Sequence, residues 1–253
     1  MKIHIFSRFS GDMRRSRVGR LLRSLVWPIC MSVAHGAPSQ PRPTLITIEG
    51  TIGSGKSTVM RALREAFSEA GVAFVEEPVD KWTTGGSVNV LDAMYTGKIS
   101  QPAFQLMALA TRVGPVSRML RESRVVIAER SIWSDRVVFA ELGLTEPATR
   151  TAYELAHDAL RDALPADLEE KFFLLDVPVP VALTRIAERG RPEEIGIDAD
   201  YLQKLEDGHE RLARLRARDL VRVDASGPSD VVSRMVVTEV AKVLDAGEGE
   251  CAD

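Results

Sequence analysis

The sequence predicts an α/β fold in which a parallel β-sheet is covered by helices on both faces. Short apolar runs alternate with longer amphipathic stretches along residues 44–245, the order expected of repeated strand–helix–strand units. These short runs are apolar throughout rather than at every second position, which is typical of strands buried on both faces. The chain has 253 residues, of which 45% are hydrophobic and 27% charged, so its composition is that of a globular protein.

The predicted elements of the first half follow from composition and periodicity. Residues 44–49 (TLITIE) are apolar and β-branched, and they predict the first strand. Residues 57–70 carry apolar side chains on one helical face, and residues 72–75 (VAFV) predict the second strand. Residues 100–122 have the pattern of a long helix, and residues 124–128 (RVVIA) predict the third strand.

The second half repeats this alternation. A helix over 149–164 precedes a fourth strand at 171–176 (KFFLLD). The remaining predicted elements are helices at 178–189 and 198–217, a fifth strand at 220–224 and a last helix near 229–244. One folded domain is therefore predicted over 44–245, with a flexible tail at 246–253.

The net charge of −3 conceals an uneven distribution. Residues 1–44 contain eight basic side chains and one acidic side chain, a charge of +7, so residues 45–253 carry −10. Because phosphate contacts need clustered lysines and arginines, the acidic body predicts no nucleic-acid partner. No run of about 18 uncharged apolar residues occurs, so no membrane association through a spanning helix is expected. Two distant cysteines and four scattered histidines indicate neither a disulfide framework nor a zinc site.

Residues 1–43 are predicted to be a separate basic extension. They contain arginines, serines and one acidic residue, and they end in the proline-rich sequence APSQPRP, which is typical of a linker. This composition favours a mitochondrial targeting segment. It leaves open a secretory signal with residues 25–34 as its apolar part, a basic arm without an address in a cytoplasmic protein, or an upstream start codon.

A glycine-rich loop follows the first predicted strand. Residues 50–58 (GTIGSGKST) match the pattern G-x-x-x-x-G-K-[ST] between a strand and a helix. Backbone N–H groups of such a loop surround phosphate oxygens, while Lys56 is expected to bridge the β- and γ-phosphates and Ser57 to hold Mg²⁺. The residues expected to bind ATP, or another nucleoside triphosphate, are Gly50, Gly53, Ser54, Gly55, Lys56, Ser57 and Thr58. The loop does not identify the acceptor of the phosphate.

The second and third predicted strands end in charged residues. Glu77 follows the second strand, and Glu129 and Arg130 follow the third. Residues beyond the carboxyl ends of parallel strands face the crevice in which α/β sheets bind ligands. Glu77 could accept a hydroxyl proton, Glu129 could position Mg²⁺ and Arg130 could contact phosphate oxygens. Each segment taken alone has an alternative interpretation: Glu77 could belong to an ordinary strand end, and Glu129 and Arg130 could form a surface ion pair.

A third charged segment ends the helix predicted at 178–189. Arg185 and Arg189 are four residues apart on one helix face, and Arg191 follows Gly190. Arginines at a flexible helix end suit a lid that closes over transferring phosphates and excludes water. A solvated, charged helix end is the alternative.

Together these motifs resemble the deoxynucleoside kinase family. The resemblance covers residues 44–225 in the same order and spacing, and it includes the phosphate loop, EPVDKW at 77–82, LDAMY at 91–95, FQ at 104–105, ERS at 129–131 and the arginine-rich lid at 185–194. It implies a P-loop kinase fold with a five-stranded parallel sheet, helices on both faces, an arginine-rich lid and a homodimer. It also implies phosphorylation of the 5′-hydroxyl of a deoxyribonucleoside with ATP and Mg²⁺.

The same resemblance implies roles for individual residues at the reacting groups. Glu77 would be the general base on the 5′-hydroxyl, with Arg130 beside it and the phosphates. Glu129 would join Ser57 at Mg²⁺.

The resemblance further implies a nucleoside site. Tyr95 and Glu194 would hold the sugar 3′-hydroxyl, and Gln105 would hydrogen-bond to the edge of the base. The apolar walls would be Ile52, Val79, Trp82, Leu91, Met94, Phe104 and Phe139. An aromatic-walled slot with few polar groups suits a small planar ligand, although core packing is the alternative at each apolar position. The sequence departs from the family beyond Asp224, so no adenine contacts are predicted.

Two residues near the expected base edge predict the substrate preference. In the resemblance, deoxycytidine and purine kinases carry Arg and Asp where thymidine-preferring members carry an apolar and a small residue. This sequence has Arg112 and Asp135. An ionised Asp135 only accepts hydrogen bonds, so it favours an exocyclic amino group over the carbonyl of thymine. Arg112 would hold Asp135 in place through a bidentate pair and donate to a ring nitrogen or carbonyl of the base. Deoxycytidine or a purine deoxynucleoside is therefore expected over thymidine; a surface Arg–Asp pair remote from the base is the alternative.

Two other functions compete with this one. A thymidylate-type monophosphate kinase would need a further basic site for the acceptor's phosphate, whereas the segment at 76–80 is acidic at Glu76, Glu77 and Asp80. A slowly hydrolysing nucleotide-binding switch would not need three lid arginines and a proton acceptor.

Overall fold

The computed structural model describes residues 42–249, which form a five-stranded sheet flanked by helices. The strands are β1 (Thr44–Glu49), β2 (Val72–Val75), β3 (Val125–Glu129), β4 (Glu169–Asp176) and β5 (Leu220–Asp224). Their order across the sheet is β2-β3-β1-β4-β5, and every neighbouring pair is parallel. The predicted α/β class with five parallel strands is confirmed.

The helices connect the strands in the predicted alternation. They are α1 (Lys56–Phe67), α2 (Val79–Thr83), α3 (Val90–Tyr95), α4 (Gln101–Glu122), α5 (residues 132–143, with a π-helical segment at Asp135–Ala140), α6 (Pro147–Asp162), α7 (Val179–Arg189), α8 (Ala199–Leu215) and α9 (Ser229–Gly249). A 3₁₀ turn at Pro192–Glu194 follows α7.

Several element boundaries differ from the predictions for identifiable reasons. The helices α2, α3 and α5 were not predicted, because elements this short or irregular show no readable periodicity. β4 begins at Glu169, two residues before its predicted start. Glu170 can lie in this buried strand because Arg216 and the indole N–H of Trp133 both donate to its carboxylate.

The predicted flexible tail also requires correction. Helix α9 continues to Gly249, so residues 246–249 belong to it rather than to a tail starting at 246. Backbone hydrogen bonds extend a helix beyond its last apolar contact, and Ala246 and Glu248 are compatible with helix. Residues 250–253, and all but the last two residues of the predicted extension at 1–43, lie outside the described residues.

The sheet is buried on both faces. Ile46 and Ile48 of β1 pack in one core with Leu63 of α1 and Val236 of α9. Leu45, which points to the opposite face, packs with Leu120 of α4 in a second core. Burial of each such side chain contributes about 1.5–3 kcal/mol, which explains why the inner strands are mainly apolar.

Parallel pairing brings the charged strand ends to one edge of the sheet. Ile48 of β1 lies opposite Glu129 of β3, and Val75 of β2 lies opposite Ala128. The residues that follow these strands therefore surround one crevice. Within residues 42–249 no helix is both long and apolar enough to cross a lipid bilayer.

Candidate active site

The loop between β1 and α1 has a backbone that requires glycine. Gly50 and Gly53 have φ angles of 140° and 81°. A Cβ atom on Gly50 would lie 2.6 Å from Ser54 Oγ, and one on Gly53 would lie 2.7 Å from the carbonyl oxygen of Ala182. The backbone therefore curls as phosphate binding needs.

The N-terminus of α1 is open towards this loop. Among the described residues, no side chain caps α1, and its first turn contains no acidic residue. Free N–H groups and the positive end of the helix dipole at such a terminus favour an anion. Thr58 lies in this first turn, so it is placed where the sequence predicted.

The side chain of Lys56 lies folded over the loop. Its Nζ donates to the carbonyl oxygens of Gly50 at 3.1 Å and Thr51 at 2.9 Å. Burial lowers the pKa of Lys56 to about 7, with Arg130 acting in the same direction and the neighbouring carboxylates against it. A phosphate in the loop would replace these carbonyl acceptors and strengthen the charge on the amine.

Ser57 and Glu129 meet as predicted for a magnesium site. Ser57 Oγ lies 3.5 Å from Glu129 Oε1, and burial, reinforced by Glu77, raises the pKa of Glu129. One hydroxyl and one carboxylate suit Mg²⁺, which keeps waters and binds phosphate oxygens for its remaining positions. No cluster of three or more His, Cys, Asp or Glu side chains able to hold a metal occurs within residues 42–249. The residues present thus fit Mg²⁺ bound together with a triphosphate.

Glu77 is held by two buried arginines. Arg112 NH2 donates to its Oε1 at 2.6 Å, and Arg130 Nε lies 3.2 Å from the same oxygen. Burial alone would raise the pKa of Glu77, but the charges of Arg130 and Arg112 outweigh it and hold the pKa at about 2. The carboxylate is therefore ionised at neutral pH and fixed in orientation.

A cavity of about 440 Å³ opens beside Glu77. Its walls include the predicted apolar residues, namely Ile52, Val79, Trp82, Leu91, Met94, Phe104 and Phe139. The rings of Trp82 and Phe104 pack edge to face with centroids 5.6 Å apart and give the cavity an aromatic wall. The predicted polar residues Tyr95, Gln105 and Glu194 line the same cavity.

Arg112 and Asp135 form a buried ion pair. Arg112 NH1 donates to Asp135 Oδ1, and the two side chains are 5% and 1% exposed, so the alternative of a surface pair is wrong. Arg112 lines the cavity next to Gln105, but Asp135 does not. Asp135 lies in the π-helical segment of α5, which the periodicity of the sequence did not predict. The direct base contact predicted for Asp135 is therefore not available in this structure, because the side chain is fully buried behind Arg112.

The lid arginines are paired within the protein. Arg189 NH2 donates to both carboxylate oxygens of Glu194 at 2.6 and 2.7 Å, and Arg191 lies 3.7 Å from the same carboxylate. Gly190, with φ 62°, ends α7 and allows the chain to turn back towards the cavity. Glu194 thus joins the lid to the end of the cavity where Tyr95 lies.

Arg185 does not join the other two lid arginines. Its NH2 donates to the carbonyl oxygens of Ser226 at 3.3 Å and Gly227 at 3.1 Å. Arg185 lines a second cavity, which lies beyond the phosphate loop. Gly53 and Arg189 line both cavities. The prediction of three arginines over one site is therefore corrected, because Arg185 lies one turn earlier on α7 and is held by backbone carbonyls.

Some residues of the site were missed by sequence reasoning. Tyr201 of α8 lines the first cavity; burial raises the pKa of Tyr95, and the neighbouring hydroxyl of Tyr201 raises it further. Ala108 lines it too, three residues after Gln105 on α4 and so on the same helix face. The spacing could have indicated Ala108, whereas no local signal marks Tyr201.

Residues 46–245 match the model of one protein family, described as deoxynucleoside kinase. The chain belongs to the deoxynucleoside kinase family. This membership identifies it as a deoxynucleoside kinase enzyme with a P-loop kinase fold that uses a nucleoside triphosphate as phosphate donor.

Individual relatives of this deoxynucleoside kinase carry names for different nucleosides. Deoxycytidine kinase 1 of Xenopus laevis is 32% identical over 212 residues, which cover 72% of this chain and 78% of that protein. Deoxycytidine kinase of Homo sapiens is 32% identical over 192 residues, covering 65% and 73%. Thymidine kinase of Ictalurid herpesvirus 1 (strain Auburn) is 31% identical over 200 residues, covering 78% and 86%. The comparisons therefore support nucleoside phosphorylation in general and not one base.

Proposed function

We propose that this enzyme transfers the γ-phosphoryl group of ATP to the 5′-hydroxyl of a deoxyribonucleoside, and that it prefers deoxycytidine or a purine deoxynucleoside to thymidine. The observation that carries the preference is the buried Arg112–Asp135 pair, of which Arg112 lines the cavity and Asp135 lies behind it.

Glu77 is the proposed acceptor of the hydroxyl proton. A carboxylate with a pKa near 2 is a weak base in the ground state, but phosphoryl transfer passes through a loose transition state in which the attacking oxygen acquires acidity late. What the reaction needs from Glu77 is a fixed, ionised oxygen within reach of the hydroxyl. Arg112 and Arg130 supply that fixation.

The phosphates would lie along the loop between the two cavities. Lys56, Arg130 and the lid residues Arg189 and Arg191 would surround the transferring group, while Ser57 and Glu129 would hold Mg²⁺, which neutralises the charge on the phosphate oxygens. The second cavity shares Gly53 and Arg189 with the first and would receive the base of the donor nucleotide. Nucleoside in the first cavity and donor in the second would bring the 5′-hydroxyl and the γ-phosphate together beside Glu77 and Lys56, which both line the first cavity.

Two atoms of the buried pair support the base preference. Asp135 Oδ2 and Arg112 Nε have no hydrogen-bond partner among the described residues. Cytosine offers an amino donor beside a ring-nitrogen acceptor, and adenine does the same, so either base supplies both partners. Thymine would place its carbonyl oxygen, an acceptor, against the acceptor Asp135 Oδ2, and its N–H, a donor, against the donor Arg112 Nε. Because Asp135 does not line the cavity, we propose that the cavity wall opens towards Asp135 when the base binds, while Arg112 keeps its contact with Glu77.

The test is the specificity constant of the purified protein for the four deoxynucleosides. Mispairing a buried acceptor costs about 1–3 kcal/mol, or up to about a hundredfold in kcat/KM. A clear preference for thymidine over deoxycytidine and both purine deoxynucleosides would overturn the assignment. Thymidine is the second candidate, because the herpesvirus relative is named a thymidine kinase.

We also propose that the enzyme is a homodimer and that residues 1–43 direct it to mitochondria. Leu106 of α4 and Leu155 of α6 are 37% and 68% exposed, which suits a contact with a second copy. Light scattering at micromolar concentration tests the dimer; a monomer mass would contradict it.

A further inference from the structure

The residue that follows β3 has a backbone that a side chain rarely adopts. Arg130 has φ 65°, and within residues 42–249 it is the sole non-glycine residue with positive φ. The left-handed conformation is unfavourable for residues with a Cβ atom and persists only where the surroundings enforce it. Something next to Arg130 must therefore hold this turn.

Two hydrogen bonds to residues of β1 hold the turn. The backbone N–H of Arg130 donates to the carbonyl oxygen of Ile48 at 3.1 Å and so extends the hydrogen bonding between β3 and β1 by one residue. The next N–H, that of Ser131, donates instead to the side chain of Glu49, at 2.8 Å from Oε1. The neighbouring carbonyl of Gly50 accepts from the side chains of Arg130 and Lys56, at 3.0 and 3.1 Å. The Glu49 carboxyl group thus takes the place of a backbone acceptor at the end of the ladder.

Glu49 is fully buried and does not line the cavity beside Glu77. Burial raises its pKa, against the lowering effect of Ser131 and Arg130. A neutral acceptor of the same shape should therefore serve nearly as well as the carboxylate. No part of the proposed phosphoryl transfer uses this residue.

The left-handed turn decides where the Arg130 guanidinium lies. With it, the guanidinium is 3.2 Å from Glu77, 3.0 Å from the Gly50 carbonyl oxygen and 4.6 Å from the centre of the Phe139 ring. If φ returned to its usual negative range, the chain would leave β3 in another direction and these contacts would separate. The geometry requires an acceptor for the Ser131 N–H to prevent this.

We infer that Glu49 is a positioning residue for phosphoryl transfer: by accepting the Ser131 N–H, it holds Arg130 in the left-handed conformation that aims its guanidinium at Glu77 and the phosphate loop. The inference rests on the role proposed for Arg130 at the reacting groups. It assigns no contact between Glu49 and either substrate.

The test compares Glu49→Leu, which has no acceptor, with Glu49→Gln, whose amide oxygen can still accept. We expect Glu49→Leu to lower kcat by about tenfold, the factor that corresponds to about 1.4 kcal/mol of backbone preference, with KM for the nucleoside changed less than about twofold. Glu49→Gln should stay within about threefold of the wild type. Thr47→Val is the matched control, because Thr47 is a buried polar residue of the same strand whose hydroxyl donates to Lys171; its kcat should be unchanged.

A double-mutant cycle separates positioning from general stability. In an Arg130→Ala background, adding Glu49→Leu should lower kcat by less than about twofold, because the Arg130 side chain through which Glu49 acts is gone. Equal losses in both backgrounds, or equal losses for Glu49→Leu and Glu49→Gln, would overturn the inference. Nearly normal kcat in Arg130→Ala alone would instead refute the proposed role of Arg130. If Glu49→Leu does not fold, Glu49→Met takes its place, and failure of both to fold would make Glu49 a residue of general stability and overturn the inference.

Discussion

Replacing Glu77 by glutamine is the most direct test of the proposed chemistry. The amide keeps the shape of the side chain but cannot accept the hydroxyl proton. Loss of a general base costs about 10²–10⁴-fold in rate, or about 3–5 kcal/mol of transition-state stabilisation. We therefore expect Glu77→Gln to lower kcat by at least about a hundredfold while KM for the nucleoside changes by a few-fold.

The structure also sets the effect of this change on stability. The pKa of Glu77 is lowered from its ordinary value of 4.5 to about 2 because Arg130 and Arg112 outweigh its burial. A carboxylate with a depressed pKa stabilises the fold above its ordinary pKa and loses that contribution as pH falls towards the folded value. The contribution is roughly 3 kcal/mol at neutral pH. The stability difference between wild type and Glu77→Gln should therefore shrink as pH falls below about 4.5.

Steady-state kinetics and thermal unfolding of the same two proteins measure both effects. Glu76→Gln is the comparison, because Glu76 is the adjacent carboxylate and its exposed side chain pairs with Arg64 at 2.7 Å. It should keep kcat within a few-fold. If Glu77→Gln retained nearly normal kcat, Glu76 or solvent would have to accept the proton and the reasoning would be refuted.

Three further changes probe the remaining parts of the site and the extension. Lys56→Ala and Ser57→Ala should each abolish turnover without unfolding the protein, since both side chains face the expected phosphates and metal; near-normal kcat in both would remove the assignment of the loop. Arg112→Met combined with Asp135→Ala should shift the ratio of kcat/KM values towards thymidine, and an unchanged ratio would show that the pair does not contact the base. Deletion of residues 1–43 should leave kcat and KM unchanged because β1 begins at Thr44, whereas a reporter fused to those residues should enter mitochondria; a diffuse cytosolic signal would contradict the targeting proposal alone.

The parts of the site that are contiguous in the chain could be predicted from sequence. The phosphate loop between β1 and α1 needs glycines at fixed spacing and a lysine and serine at the helix start, so its pattern carries its own geometry. The charged residues after β2 and β3 could be assigned to one crevice because parallel strands end at one edge. The apolar residues around Trp82 and Phe104 needed the family resemblance, since an apolar wall and an apolar core have the same composition.

The tertiary structure decided which partner each charged side chain of the site contacts. Sequence placed Arg185 with Arg189, but the structure holds it on the carbonyls of Ser226 and Gly227. It likewise placed Asp135 at the base, whereas the structure buries it against Arg112 in a π-helical segment.

The sequence by itself determined the α/β class, the parallel sheet and the phosphate loop, because these depend on local periodicity and on a contiguous motif. Only the tertiary structure decided that Arg112 also pairs with Glu77, that Tyr201 joins the cavity and that Glu49 holds the turn at Arg130. The hydrogen bonds of Arg112 and Glu49 join residues 23 to 82 positions apart in the chain. A buried charge or N–H takes whichever partner the fold brings within about 3 Å, and local sequence does not encode which partner that is.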